Sequence, residues 1–185
     1  SDLKERVKVV AAPKVTTVVS QQTVAPDTEL TDTVKVTGLA GESAVVSAAL
    51  YGPFGSRDAV SCTGTAVWQG TLAVTADGEY QTEAVKLTVP GFYTYREKLV
   101  GGEFVRPTET KCGEITETTI VTGKPSVRTE VSAQQTTVGS TITDRVIVTG
   151  LGALSGAVEV ELFGPFASRG GITCSGKPAW KGTVI

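Results

Sequence analysis

Four positions in this chain put reactive groups where strand patterning calls for hydrocarbon. Thr17 shares a strand face with Val15 and Val19, and Asp32 shares one with Leu30, Val34 and Val36. Glu97 alternates with Tyr93, Tyr95 and Leu99, and Glu117 with Ile115 and Val121. Each apolar face therefore aims one polar residue at the core, and three of the four are carboxylic acids. Burying an unpaired carboxylate costs several kcal/mol. Such a collection calls for a compensating purpose, or else for edge positions that reach solvent. Carboxyl groups held out of water shift their pKa values and can act as general acids or bases. A turnover catalyst on Asp32, Glu97 and Glu117, in the manner of carboxylate-pair hydrolases, is disfavoured because these faces point into a core and away from a cleft. The chain has no histidine. It also lacks a Gly-rich phosphate cradle beside a helix and a cluster of metal ligands. No enzyme, cofactor or metal is expected.

The second chemistry is sulfur. Cys62 and Cys112 fall within one stretch of about a hundred residues, and Cys174 stands apart. One pair per domain points to a Cys62–Cys112 disulfide and an oxidising, extracellular setting, against the alternative of two buried free thiols in a reducing one. A loop of that length gives a chain-entropy gain of roughly 4 kcal/mol. Cys174 is expected to be a free thiol. No CxxC or histidine accompanies the cysteines to make a zinc site.

The elements that must position these groups are strands. Val and Thr dominate, Gly is plentiful, and Met, His and Asn are absent. Strands are expected at Val15–Val19, Leu30–Val36, Ala44–Leu50, Val67–Val74, Tyr80–Val89, Phe92–Leu99 and Ile115–Val121. Turn signals such as Pro26-Asp27, Gly52-Pro53, Ala76-Asp77-Gly78 and Pro90-Gly91 separate them. Seven short strands in about 110 residues predict an all-β, antiparallel, immunoglobulin-like sandwich.

The chain also repeats itself. Displaced by 112 residues, Pro13–Ala73 lies over Pro125–Ile185 without a gap, with 26 of 61 positions identical. YGPFGSR (Tyr51 to Arg57) returns as FGPFASR (Phe163 to Arg169), and Cys62, Trp68 and Gly70 return as Cys174, Trp180 and Gly182. That period matches a whole all-β domain. Tandem repeats are therefore expected: residues 1–12 as the end of a preceding repeat, 13–124 as a complete one, and 125–185 as the first part of another. Thr129 and Asp144 are the second-copy counterparts of Thr17 and Asp32.

A net charge of −2 and the lack of a basic cluster exclude a nucleic-acid footprint. The apolar runs are too short to cross a bilayer, so no membrane insertion is expected in this segment.

These residues together resemble a family, the intramolecularly cross-linked, immunoglobulin-like repeats of Gram-positive, actinobacterial-type surface adhesins and pilins. Within it the chain is most similar to the Thr–Gln ester-bond, or VaFE-type, domains. The likeness rests on Thr17 in a first strand after a proline, on Asp32-Thr33-Val34 followed by Gly38-Leu39, on TYREKL (Thr94 to Leu99), and on ETTIV (Glu117 to Val121). The resemblance implies that the Thr17 hydroxyl attacks the side-chain carbonyl at position 117 while Asp32 and Glu97 handle protons. The domain would do this once, on itself, tying its first strand to its last. This chain departs from the family by carrying Glu117 in place of Gln, so that water would leave instead of ammonia, and by having no auxiliary histidine. Either the ester forms from a protonated Glu117, or the Cys62–Cys112 disulfide has taken over reinforcement; the departures favour the second. A Lys14–acid isopeptide is weakened because Lys14 lies on the opposite face from Thr17 and becomes Ser126 in the second copy.

The implied function is a structural stalk or spacer repeat of a bacterial cell-surface adhesin. It would be extracellular and associated with the cell wall, with neighbouring repeats of the same protein as partners and an unidentified host or cell-surface ligand. The alternative is a ligand-binding module that uses the GPFxSR loop through Phe54 and Arg57, repeated as Phe166 and Arg169. Exposed strand positions differ between copies, as at Lys35/Ile147 and Ser47/Glu159, which favours the stalk. Arg57 is expected to pair with a carboxylate, Trp68 to pack on the disulfide, and RPTETK (Arg106 to Lys111) to form a solvated loop.

Overall fold

The computed structural model describes residues 7–185. Strand accounts for 45% of it and helix for 5%, in several antiparallel sheets, so the chain is all-β. Two compact units divide it. One holds the chain up to Lys124 together with Gly152–Leu154, and the other holds Pro125–Leu151 and Ser155–Ile185.

The first unit contains eleven strands among its described residues. They are β1 (Lys14–Val19), β2 (Thr23–Val24), β3 (Glu29–Leu30), β4 (Asp32–Thr37), β5 (Ala44–Phe54) and β6 (Trp68–Val74), then β7 (Gly78–Gln81), β8 (Val85–Lys86), β9 (Gly91–Val100), β10 (Thr108–Glu109) and β11 (Thr118–Val121). One sheet runs β1-β4-β7. A larger one runs β2-β11-β9-β5-β6, with β10 on β9, and β3 pairs with β8. The pairings are antiparallel except β2 with β11, which is parallel.

Alternation decides which side chains face inward. On β5 Val46, Ala48 and Leu50 are buried, and on β9 Tyr93, Tyr95, Glu97 and Leu99 are. Side chains from the two larger sheets meet in two hydrophobic clusters. One gathers Val19, Leu30, Leu50, Tyr93, Tyr95 and Val121; the other gathers Val34, Val36, Val46, Val74, Leu99 and Val105.

Three expected strands are corrected. Leu30–Val36 breaks at Thr31, because Leu30 pairs with β8 while Asp32 opens a strand in another sheet. Tyr80–Val89 likewise divides into β7 and β8, which serve different sheets. Ile115–Glu117 is a 3-10 turn, and the strand begins only at Thr118. Ile115 is consequently 64% exposed and does not share the buried face of Glu117, since a helical turn cancels the two-residue period. Of the expected leading segment 1–12, residues 1–6 lie outside the described residues. Ala11 bridges Val105 within the first unit.

GPFxSR recurs for a backbone reason. Gly52 has φ +134, and a Cβ there would fall 2.6 Å from the Phe92 carbonyl oxygen and 2.6 Å from the Tyr93 ring. Gly164, its counterpart, has φ +128. Gly52→Ala should therefore lower stability by about 3 kcal/mol, from left-handed strain plus the clash. A denaturant midpoint shift equivalent to less than about 1 kcal/mol would show that the loop yields instead.

In the second unit β12 (Ser126–Val131) pairs with β13 (Asp144–Thr149), and β14 (Val158–Leu162) with β15 (Trp180–Val184). The β12–β13 register repeats that of β1–β4: Val131 lies opposite Asp144 as Val19 lies opposite Asp32.

Candidate functional site

A polar layer separates the two hydrophobic clusters of the first unit. Along β9 the inward side chains are Tyr93 and Tyr95 of one cluster, then Glu97, then Leu99 of the other. Along β3 and β4 they are Leu30, then Asp32, then Val34 and Val36. Thr17 interrupts β1 in the same way, between Val15 and Val19. Glu117 enters from the 3-10 turn that precedes β11. Asp32, Glu97 and Glu117 are fully buried and Thr17 is 5% exposed, so the edge-position alternative fails for all four. One carboxylate oxygen from each acid can be chosen so that all three lie within 4.8 Å of one another.

The Thr17 hydroxyl donates to Glu97 Oε2 at 3.2 Å and also lies beside the Glu117 carboxyl. Thr110 is tied to Glu97 three ways. Its hydroxyl donates to Glu97 Oε2 at 3.0 Å and accepts from the Glu97 amide at 3.0 Å, and its own amide donates to the Glu97 carbonyl at 2.9 Å. Thr116 donates to Glu117 Oε1 at 3.4 Å, and Thr82 accepts from the Asp32 amide at 2.9 Å. Neither carboxyl oxygen of Asp32 meets a hydroxyl or amide donor, and Glu97 Oε1 and Glu117 Oε2 also lack one. Acids carrying protons resolve this, because a proton on Glu97 can be shared with the neighbouring Asp32 carboxyl.

Electrostatics point the same way. Burial, reinforced by the neighbouring Asp32 and Glu117 charges, raises Glu97 to about 9. Burial and the Asp32 charge raise Glu117 to about 8. Asp32 rises to about 6, burial outweighing the opposing influence of the nearby Glu97 carboxyl and of the backbone at Thr33 and Val18. At neutral pH Glu97 and Glu117 are thus neutral carboxylic acids beside an ionised or proton-sharing Asp32. The spacing of the three acids could admit a hard cation. Such a cation would have to displace the protons that burial retains, whereas the hydroxyl among the acids offers a chemistry that uses them.

A neutral carboxylic acid is an electrophile once a hydroxyl is held against its carbonyl and a second acid can move protons. Thr17, Glu117, Glu97 and Asp32 supply those groups. Chemically the arrangement can join Thr17 Oγ1 to Glu117 Cδ with loss of water.

The other expected site residues are placed as follows. Cys62 and Cys112 are bonded, with Cα atoms 5.8 Å apart, and Cys174 is free and exposed. Thr129 and Asp144 are both exposed, and no further acid joins them in the second unit. Phe54 is half-buried opposite Phe92. Arg57 is exposed at the start of a 3-10 turn and pairs with no carboxylate among the described residues, contrary to expectation. It borders a cavity of about 210 Å³ with Gln22, Phe92 and Ile115. Phe166 is 37% exposed and Arg169 is exposed at the matching turn. Trp68 packs edge-on against Tyr95, ring centroids 6.0 Å apart. Lys14 is exposed.

Alternation alone did not find Thr110. It lies in RPTETK, which is not a solvated loop: Thr108–Glu109 forms β10 against β9, and Thr110 is buried on Glu97. The signal available was the Thr-Glu-Thr alternation itself. Among the described residues no helix is long and apolar enough to cross a membrane. Comparison of the chain with known protein families and with curated proteins found no match.

Proposed function

We propose that the chain is a structural stalk repeat of a bacterial surface adhesin, with immunoglobulin-like sandwiches in tandem, and that its first unit locks itself with a Thr17–Glu117 ester. The observation that carries this reading is the convergence of Thr17 and Glu117, a hundred residues apart in sequence, with two acids in one buried polar layer. Three unpaired acids in a core are a costly way to build a fold, and ester formation removes one of them. The acid at position 117 is the neutral form that such a reaction needs, which favours the crosslink over its loss.

The Thr17 hydroxyl attacks the Glu117 carbonyl carbon, and its proton passes toward Asp32 through Glu97. The Glu117 hydroxyl leaves as water after protonation by the same acids. Holding the two groups together in a dry core supplies the high effective concentration the reaction needs. Thr17 lies on the first strand of one sheet, and Glu117 immediately precedes the last strand of the other. A bond between them carries force across the unit without unzipping either sheet. Single-turnover self-modification of this kind is not enzymatic turnover. The immunoglobulin-like reading is supported by the first strand region, which divides between sheets: β1 pairs with β4, and β2 with β11. The disulfide supports an extracellular, wall-associated setting, where neighbouring repeats and a surface ligand would be the partners.

The intact mass after full reduction tests the ester. The expected value is one water below the sequence mass, with the Thr17 and Glu117 peptides joined on mapping. A mass equal to the sequence mass, with both peptides free, would sink the crosslink and leave the disulfide as the covalent brace.

A further inference from the structure

The segment that delivers Glu117 to the acid layer has few ties of its own. It leaves β10 through Thr110, anchored on Glu97 of β9, and does not rejoin a sheet until Thr118. Within it, Glu117 N donates to Glu114 O at 3.1 Å and Thr118 Oγ1 to the same carbonyl at 2.8 Å, which shape the turn but attach it to nothing else. Between Lys111 and Thr116, two bonds reach other parts of the unit among the described residues. One is exposed, from Gln22 Nε2 to Ile115 O at 3.0 Å. The other is the Cys62–Cys112 disulfide. Its far end sits in a self-bonded turn. Val60 N donates to Arg57 O at 3.2 Å, and Ser61 and Thr63 share a hydroxyl hydrogen bond of 2.8 Å. The chain turns back beside Cys112 at Gly113, φ +75, against Val60.

We propose that the Cys62–Cys112 disulfide is a positioning device for the acid layer, holding the Thr110–Glu117 segment so that Glu117 faces Thr17, and that ester formation waits on it. The ester step rests on the function proposed above; the positioning does not. In the first step the two thiols give two electrons and two protons to an external disulfide-containing oxidant, which leaves as two thiols. In the second, Thr17 Oγ1 bonds to Glu117 Cδ and one water departs. The order makes crosslinking conditional on an oxidising compartment. Cys112 is exposed and Cys62 buried, so a thiol reductant approaches the bond from the Cys112 side in the folded protein.

The test uses the full chain in two forms. Wild type and the Cys62→Ser/Cys112→Ser variant are refolded from the unlinked state, and water loss is followed by intact mass. Loss should slow by roughly tenfold or more without the disulfide, because orientation is what is removed. In the Thr17→Ala protein, which cannot form the ester, the Glu117 carboxyl is titrated by carbon-13 NMR before and after the disulfide is reduced in place. Its midpoint should fall toward that of an ordinary glutamate on reduction, while Glu97, held by Thr110, stays raised by burial and by Asp32 and loses only the part that the Glu117 charge contributed. A disulfide that acts only on loop entropy would move neither readout. An unchanged Glu117 midpoint after reduction overturns the proposal even if the double variant fails to fold. A wild type that never loses water ends the ester reading alone, and the titration still decides the positioning.

Discussion

Thr17→Ala is expected to keep its full sequence mass after reduction and to melt roughly 15–25 °C below the crosslinked protein. The loop closed by the ester is shorter than its ends imply, because the disulfide already shortcuts it. Chain runs from Thr17 to Cys62, crosses the bond, and continues from Cys112 to Glu117. Closing that loop of about 50 residues is worth about 4 kcal/mol in chain entropy. Losing the Thr17 hydroxyl bond to Glu97 adds to the deficit. Thr17→Ser should restore the mass loss and most of the stability, since it returns the nucleophile without changing the layer around it. A Thr17→Ala protein that melts with wild type would mean that no force-bearing bond involves Thr17.

The second large effect is on pH, and its direction is opposite to the usual acid lability of folded proteins. In the unlinked protein Glu117 sits at about 8 and Glu97 at about 9 when folded, against 4.5 as free side chains, and Thr17→Ala removes a hydroxyl that holds both down. Asp32 sits at about 6 against 3.8. Between the unfolded and folded values the native state holds protons that the unfolded chain has released. Stability is thus greatest below about pH 4, falls as pH rises through that window, and levels off only above the folded values. Each retained proton costs about 1.4 kcal/mol per pH unit. Thermal midpoints should accordingly drop steeply from pH 5 to pH 8. In the ester-linked protein Glu117 no longer titrates, so the slope should be visibly shallower. A Thr17→Ala midpoint that is flat or rises over that interval would show that the layer is ionised or hydrated and unfit for the ester chemistry.

Much of this was legible in residue order because period-2 alternation is a local property. It turned Thr17, Asp32 and Glu97 inward from strands read one at a time, and the same periodicity marked Val34, Val36, Tyr95 and Leu99 as core. It misled at Ile115, because Ile115–Glu117 is one turn of 3-10 helix and the strand begins only at Thr118. It also treated Tyr80–Val89 as one element, because composition does not record when a chain changes sheets.

Residue types and spacing by themselves determined that the chain is all-β, that it repeats every 112 residues, and that reactive groups sit on inward faces. The resemblance joined four such groups as one site, and the tertiary structure decided that they meet, from four elements, in a single buried layer. Strand order brings β1 and the turn before β11 together across the core, and no local pattern encodes a contact a hundred residues apart. It also decided the acids' protonation, because pKa values follow from the water a fold removes and the charges it gathers. And it enlisted Thr110 from a stretch whose composition reads as solvent-facing loop, since its role comes only from what lies opposite it.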